Sequence, residues 1–260
     1  MKPKVLILRT AGTNCDLETA FAFENVGAEA ERHHINRLSE GSVKLDDYHI
    51  LAIPGGFSYG DDVHAGKILA VEMMAGFAGQ LSAFVDAGKL IIGICNGFQV
   101  LVKAGLLPGN GNGQSVTLTD NNSNKYEDRW VYLSCETDRC VFIKPGEVIE
   151  VPVAHAEGKF VTKDRETLEN LEENGQVVFR YVMPDSSPAN CSYPQNPNGS
   201  VDDVAGICDP TGRILGMMPH PERNIFSYHH PRWTRGEAKE EGDGVRIFRN
   251  AVQYVKENLL

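Results

Sequence analysis

The sequence of 260 residues contains no long uninterrupted apolar segment. Its longest apolar runs, VLIL and LIIGI, are far shorter than the roughly 20 residues that a membrane-spanning helix needs. The N-terminal stretch MKPKVLILRT also lacks the extended apolar region and the cleavage site of a secretory signal. We therefore expect no membrane association and a cytoplasmic location.

Positive charge is scarce and scattered along the chain. There are 25 Lys and Arg residues against 35 Asp and Glu residues, which gives a formal net charge of −10. A surface of this kind repels both a phosphate backbone and an anionic membrane. We therefore expect no nucleic acid partner.

The six cysteines do not indicate a disulfide framework or a metal cluster. Without a secretory signal the thiols are expected to stay reduced. Cys135 and Cys140 have no second pair of Cys or His at ligand spacing. We predict no metal site in this chain.

Two glycine-rich stretches resemble nucleotide-binding loops without matching them. GDDVHAGKI at 60–68 has the wrong spacing between its glycines, and Ile68 stands where Ser or Thr must reach a metal ion. GNGNG at 109–113 follows a predicted helix instead of joining a strand to a helix. We therefore expect no cofactor bound by this chain.

Short β-rich runs alternate with helical patterns over residues 1–108. The predicted strands are KVLIL, AERHHI, HILAIP and KLIIGI, and the predicted helices are LETAFAFENVGAE, residues 65–87 and CNGFQVLVKAG. This alternation predicts an α/β fold with a doubly wound, mostly parallel sheet flanked by helices, as in flavodoxin.

From about residue 109 the pattern becomes more antiparallel. WVYLSC, EVIEVPVAH, QVVFRYV, DVAGICD and RILGMM read as strands, ETLENLEENG as a short helix, and DGVRIFRNAVQYVKENL as an amphipathic helix. No repeat or linker interrupts the chain. We predict a single domain over residues 1–260, in which the second half extends the same sheet.

A cysteine enclosed by glycines stands where a buried strand meets a helix. GICNG at 93–97 places Cys95 between KLIIGI and the helix that follows. The glycines permit the sharp, strained turn of a nucleophile elbow, which exposes the sulfur at the carboxyl end of the strand. The unpaired N–H groups of the first helical turn favour a thiolate. Cys95 is therefore the candidate nucleophile.

A histidine and a glutamate follow the predicted strand RILGMM. In PHPE the two prolines are expected to keep the chain extended, so that His220 and Glu222 point to the same side. Glu222 can then orient the imidazole of His220. A thiol, an imidazole and a carboxylate suit a nucleophile, a proton carrier and an orienting group.

The Gly-Gly turn in PGGFSYGD at 54–61 follows the third predicted strand. It can aim the backbone N–H of Gly56 at a developing oxyanion, and the N–H of Asn96 can supply the second donor. Acyl transfer is the chemistry that this arrangement predicts. His155 and Glu157 repeat the spacing of the PHPE pair, and their role stays open.

Together these motifs resemble those of the class I glutamine amidotransferases, whose glutaminase domain has a Cys–His–Glu triad with the nucleophile in such an elbow. More narrowly, the chain is similar over nearly its whole length to the glutaminase subunits of phosphoribosylformylglycinamidine synthase, in purine biosynthesis. The segments that carry this resemblance are GGFSYGDD, GICNGFQVL, PVAHAEGKF, NPNGSVDDVAGICD and GMMPHPER.

The resemblance implies that Cys95 is the nucleophile, His220 the general base and acid, and Glu222 the orienting residue. It also implies that the substrate glutamine is held by Gln99 and the backbone of Asn198, Gly199 and Ser200. The ammonia released would pass to a synthetase subunit, which uses ATP and magnesium to convert formylglycinamide ribonucleotide. The family also implies a small accessory subunit. Residues 226–244 and GNGNGQS at 109–115 look distinctive, and we expect them to contact partners or solvent.

Three other functions stay open. The chain could be the glutaminase subunit of another amidotransferase, a cysteine enzyme similar to DJ-1 or the intracellular peptidases, or a catalytically silent scaffolding subunit. The second would leave PHPE unexplained, and the intact set of Cys, His and Glu argues against the third.

Overall fold

The computed structural model describes residues 1–111, 113–236 and 239–260. Its strands are β1 (Lys4–Arg9), β2 (Glu29–His34), β3 (Ile50–Ile53), β4 (Leu90–Ile94), β5 (Val116–Thr119), β6 (Glu127–Cys135), β7 (Val148–His155), β8 (Lys159–Thr162), β9 (Val177–Val182), β10 (Val204–Cys208) and β11 (Ile214–Met217). Its α-helices are α1 (Asp16–Asn25), α2 (Ile35–Ser39), α3 (Lys67–Asp86), α4 (Asn96–Lys103), α5 (Arg165–Glu173) and α6 (Val245–Asn258).

Nine strands form one sheet in the order β2-β1-β3-β4-β11-β10-β9-β6-β7. The first five of these run parallel to one another, whereas the remaining four are joined by antiparallel pairs. The predicted α/β class with an added antiparallel portion is confirmed, and the second half of the chain does extend the same sheet. β5 and β8 form a separate antiparallel pair.

The centre of the sheet brings two distant parts of the chain to the same edge. β4 is buried along its whole length, and β11 pairs with it in parallel, with Gly216 opposite Gly93 and Met217 opposite Ile94. Because parallel strands end on the same side, the residues that follow β4 and β11 emerge side by side. Catalytic side chains on these two segments can therefore meet.

Helices pack in groups around this sheet. α1 contacts α6 through Phe23 and Phe248, whose ring centroids lie 4.9 Å apart at an edge-to-face angle. α3 contacts α2 and α4. By length and apolar composition alone, α3 could cross a membrane. In the fold it buries apolar side chains that include Leu69, Met73 and Phe84, so part of that composition serves packing.

Some elements differ from the sequence prediction. α2 and the β5–β8 pair had not been predicted, since these short segments, unlike the equally short β3, contain no continuous apolar run. Within the distinctive segment 226–244, the structure shows 3-10 turns at Ser227–His229 and Trp233–Arg235. Residues 237 and 238 of that segment, and residue 112 of GNGNGQS, lie outside the described part of the chain.

Candidate active site

Cys95 occupies a strained turn between β4 and α4. Its backbone has φ 53° and ψ −107°, in a region that residues with a side chain rarely adopt. Its N–H donates to the carbonyl oxygen of Met217 in the neighbouring β11, at 2.8 Å. Its sulfur lies 3.8 Å from the carbonyl oxygen of Ala154. The predicted elbow geometry is therefore present, and the sulfur faces a cavity.

The two glycines that flank Cys95 are required by close packing. A Cβ atom on Gly97 would lie 1.9 Å from the carbonyl oxygen of Ile53, and one on Gly93 would lie 2.5 Å from that of Gly97. Both distances are shorter than any real contact of a side chain. Only glycine lets α4 approach β3 closely enough to form the elbow.

His220 is held by a buried carboxylate. Its Nδ1 lies 2.6 Å from Oε1 of Glu222, and its backbone N–H donates to the carbonyl oxygen of Pro152 at 2.8 Å. PHPE was predicted to be extended, and this prediction is wrong for Pro221 and Glu222, because Pro221–Arg223 forms a 3-10 turn. The turn still brings the carboxylate onto the imidazole. The remaining nitrogen, Nε2, is buried and has no hydrogen-bond partner among the described residues.

Charge sets the protonation of His220. Burial disfavours the charged imidazole, but the negative charges of Glu222 and Cys95 and the contact with the sulfur of Cys15 outweigh it, so the pKa of His220 lies well above its ordinary value. His220 therefore stays protonated as an acid up to an unusually high pH. Cys95 and His220 line one cavity and interact through their charges.

Of the two predicted oxyanion donors, Gly56 lines this cavity, and Asn96 directly follows Cys95 in the chain. Gly56 pairs with Thr13 in an isolated antiparallel bridge, in which the flanking residues make the hydrogen bonds and the N–H of Gly56 is not used. Gly56 has φ +145°, and a Cβ there would lie 2.6 Å from the carbonyl oxygen of Gly12. Asn96 is the first residue of α4, so its N–H has no acceptor within the helix.

The side chain of Asn96 links the segment after the Gly-Gly turn to the helix that begins beside Cys95. Its Oδ1 accepts from the backbone N–H of Ser58 at 3.1 Å, and its Nδ2 donates to Asp61 at 3.2 Å and to Oε1 of Gln99 at 3.0 Å. Gln99 in turn donates to the carbonyl oxygen of Glu157 at 2.5 Å. These bonds hold the predicted oxyanion donors and the cavity wall in a fixed relation to Cys95.

The cavity itself has a volume of about 310 Å³. That value lies at the lower end of the range for small-molecule sites, about 300–1,000 Å³. Gln99 lines it, and so do Ala154 and His155 at the end of β7 and Glu157 just after that strand. An amino acid of the size of glutamine suits such a space.

Asn198, Gly199 and Ser200 do not line this cavity, in contrast to the expectation from the sequence. Asn198 is fully buried, and its Nδ2 donates to the carbonyl oxygen of Gly158 at 2.8 Å. The hydroxyl of Ser200 accepts from the backbone N–H of Phe160 at 2.9 Å. The segment supports the wall formed by residues 154–158 from behind, and the structure gives it no direct contact with the cavity.

Sequence patterns had not singled out every side chain that faces the cavity. Cys15 and Arg223 both line it, and Cys15 follows β1, whose carboxyl end lies at the catalytic edge. Strand order was the signal that could have found Cys15. His155, whose role was open, is buried in the wall with neither ring nitrogen hydrogen-bonded among the described residues. Burial and the charge of His220 lower the pKa of His155 to about 3.

Three side chains that lie close together here, including Cys15, also carry atoms of the kinds that bind metal ions. Cys15, His220 and Glu222 place one donor atom each within 4.8 Å of one another. The short bond between His220 and Glu222 already accounts for two of these groups as an orienting pair.

Comparison with known proteins agrees with this geometry. The family model described as the CobB/CobQ-like glutamine amidotransferase domain matches residues 2–255. The chain belongs to this family of glutamine amidotransferases.

The similar proteins narrow the assignment within that class. A protein of Methanococcus maripaludis is 46% identical over 97% of both chains, and one of Dehalococcoides mccartyi is 47% identical over 98% of this chain and 99% of its own. Both are named phosphoribosylformylglycinamidine synthase subunit PurQ. A chain in the structure of PurLQS from Thermotoga maritima is 32% identical, with a TM-score of 0.76, over 98% of this chain and 100% of that one. The resemblance drawn from the sequence is thereby confirmed.

Proposed function

We propose that the chain is the glutaminase subunit of phosphoribosylformylglycinamidine synthase. It hydrolyses glutamine to glutamate and delivers ammonia to a synthetase subunit, which converts formylglycinamide ribonucleotide to formylglycinamidine ribonucleotide with ATP. The observation that carries the proposal is that Cys95 faces one cavity with His220, whose imidazole is held by Glu222. The names of the relatives supply the particular assembly.

The reaction starts with attack of the Cys95 thiolate on the side-chain amide carbon of glutamine. The carbonyl oxygen then takes up negative charge beside the backbone N–H groups of Gly56 and Asn96, for which the described residues supply no acceptor. Nε2 of protonated His220 gives its proton to the leaving amine, so ammonia departs and a glutamyl thioester remains. Glu222 stabilises the imidazolium through Nδ1 throughout this step.

Water completes the cycle. After ammonia leaves, His220 is neutral at Nε2 and can take a proton from a water molecule that attacks the thioester. Glutamate is released, and the thiolate of Cys95 and the imidazolium of His220 are restored. No atom beyond glutamine and water is consumed in this half of the reaction.

The substrate is proposed to lie along Gln99 and the wall formed by residues 154–157. The carboxamide end faces Cys95, because only there do nucleophile and proton donor converge. Asn198, Gly199 and Ser200 act on glutamine indirectly, through the wall that they support.

The remaining parts of the proposal concern the assembly. ATP and magnesium belong to the synthetase subunit, and a small accessory subunit completes the complex. The word subunit in the names of the relatives supports an assembly of several chains. Residues 1–260 act in it as a single amidotransferase domain located in the cytoplasm.

The test compares two nitrogen sources in the assembled synthase. Cys95→Ala is expected to abolish synthesis from glutamine and to retain synthesis from added ammonium salt. The matched control is Cys191→Ala, which removes an exposed thiol that does not line the cavity and should leave both rates unchanged. A silent scaffold would show no loss with either variant, and that result would refute the proposal.

A further inference from the structure

The cavity contains a second thiol that the proposed reaction does not use. Cys15 immediately precedes α1 and is almost fully buried. Its sulfur lies 4.0 Å from Nδ1 of His220, the nitrogen that Glu222 also engages. On its other side, Nη2 of Arg223 donates to the same sulfur at 3.1 Å. Cys15 therefore stands between a guanidinium and the imidazole of the catalytic histidine.

Glu222 uses only one of its two oxygens. Oε1 contacts His220, whereas Oε2 is buried and has no hydrogen-bond partner among the described residues. A guanidinium is the strongest natural partner of such an oxygen, and Arg223 is the next residue in the chain. Yet the guanidinium of Arg223 contacts the sulfur of Cys15 and, at 3.8 Å, the carboxylate of Glu18.

We propose that Cys15 is a positioning residue for glutamine hydrolysis: its sulfur holds the guanidinium of Arg223 so that the guanidinium binds neither oxygen of Glu222, and Oε1 stays on His220. A guanidinium bound to Oε2 would cancel the negative charge that stabilises the imidazolium. The inference rests on the proposed glutaminase function, because the protonated form of His220 matters only to that reaction.

A thiol suits this task better than a charged group would. Burial raises the pKa of Cys15, and its S–H donates to Oδ1 of Asn14 at 3.1 Å. The sulfur is thus neutral and adds no charge of its own beside His220. Its lone pairs remain available to the N–H of Arg223.

The groups that face His220 come from every neighbouring segment. Glu222 and Arg223 lie on its own turn, and the others act from four separate places in the chain. These are Cys15 before α1, Cys95 before α4, Tyr126 before β6 and His155 in β7. Glu18 on α1 acts through its ion pair with Arg223. Cys15 acts on His220 in two ways: directly, through the 4.0 Å contact of its sulfur with Nδ1, and through Arg223, whose guanidinium it binds.

The test is the pH profile of kcat/KM for glutamine hydrolysis, measured on the full chain in the assembled synthase. Its upper limb reports loss of the proton from His220. In Cys15→Ala the guanidinium is free to reach Oε2, and we expect the upper limb to fall by about one pH unit. At a pH above the upper limbs of both proteins, kcat/KM of Cys15→Ala is then roughly tenfold lower than that of the wild type.

Arg223→Gln provides the decisive second change. If Arg223 causes the shift, the double variant Cys15→Ala/Arg223→Gln regains an upper limb at least as high as that of the wild type. Cys15→Ser keeps a polar acceptor for the guanidinium, so its upper limb should lie closer to that of the wild type than the upper limb of Cys15→Ala does. Should Cys15→Ala fail to fold, Cys15→Val keeps the volume without an acceptor and takes its place.

The outcomes separate this inference from the proposed function. A wild-type protein that hydrolyses no glutamine contradicts the function itself. If the wild type is active and the Cys15 variants have an unchanged upper limb, the inference about Cys15 is overturned and the proposed function stands. A lowered limb that Arg223→Gln fails to restore also overturns the inference, because the shift would then come from loss of the direct contact between the sulfur and His220, or of packing around His220.

Discussion

Oε1 of Glu222 lies 2.6 Å from Nδ1 of His220, and both side chains are almost completely shielded from water. This pair fixes which nitrogen of the imidazole faces the cavity. It also keeps a negative charge beside the ring where no solvent screens it.

Glu222→Gln should therefore reduce glutamine hydrolysis more than it alters the fold. The amide keeps the shape of the side chain but removes the charge that raises the pKa of His220, so the upper limb of the pH profile moves to lower pH. We expect kcat/KM for glutamine to fall about 10²- to 10⁴-fold. Synthesis from ammonium in the assembled synthase is the internal control, and an equal loss of both activities would contradict the role assigned to Glu222.

Gly56→Ala should displace one donor of the oxyanion site. A Cβ at this position would meet the backbone of Gly12 and Thr13, and the backbone has φ +145°. Loss of one such donor typically costs about 10²- to 10³-fold in kcat. The measurement is glutaminase kcat in the assembled synthase.

Gly60→Ala is the matched control for that change. Gly60 lies in the same loop and also has a positive φ, but a Cβ there would meet only the flexible side chain of Asp62, at 3.2 Å. We expect a stability cost of roughly 1 kcal/mol and near-normal kcat. If both variants lost kcat equally, general disturbance of the loop would explain the effect instead.

Asn198→Ala should affect substrate binding through the wall that Asn198 supports. The change leaves the carbonyl oxygen of Gly158 and the hydroxyl oxygen of Tyr181 without the buried donor that they share, Nδ2 of Asn198. Urea unfolding should show that the free energy of unfolding falls by about 1–3 kcal/mol. KM for glutamine should rise while kcat changes little.

The comparison for Asn198 is an exposed asparagine with a similar bond. Asn258 donates to the carbonyl oxygen of Tyr254 at 2.9 Å, and Asn258→Ala should change stability by less than about 0.5 kcal/mol. An unchanged KM in Asn198→Ala would show that the wall does not depend on this support.

The low pKa of His155 predicts how the stability of the protein changes in acid. Its folded pKa is about 3, and the pKa of an unfolded histidine is about 6.5, so between these values only the unfolded chain binds the proton. Stability contributed by neutral His155 is thus present above pH 6.5 and is lost as the pH falls, by up to about 1.4 kcal/mol per unit.

His155→Gln should remove that slope. Urea unfolding between pH 6.5 and pH 4 is expected to show a shallower loss of stability in the variant than in the wild type. His64→Gln, at an exposed position, should keep the slope of the wild type because its imidazole is solvated in both states. Parallel curves for wild type and His155→Gln would mean that His155 is not neutral in the folded protein.

Much of the parallel half of the fold could be predicted because its signals are local. A buried apolar run followed by a glycine-bracketed cysteine already specifies a strand, a sharp turn and a helix, and β4, Cys95 and α4 follow that order. The contact between His220 and Glu222 is also local, as it spans only two residues, although the turn that makes it was predicted to be extended.

Other parts of the site depend on contacts that no local pattern specifies. Asn198, Gly199 and Ser200 follow the same kind of turn-rich sequence as many binding loops, yet the structure places them behind the cavity wall. Residues 154–157 lie in the wall because the end of β7 reaches over Cys95 and His220.

The sequence by itself determined the class of fold, the nucleophile elbow and the pairing of an imidazole with a carboxylate, because each arises from residues within a few positions of one another. Only the tertiary structure decided which groups surround them. β11 lies beside β4, and the sulfur of Cys15 meets Arg223 across 208 residues of chain. Such neighbours follow from the order of strands in the sheet, which long-range burial and pairing select and local periodicity does not encode.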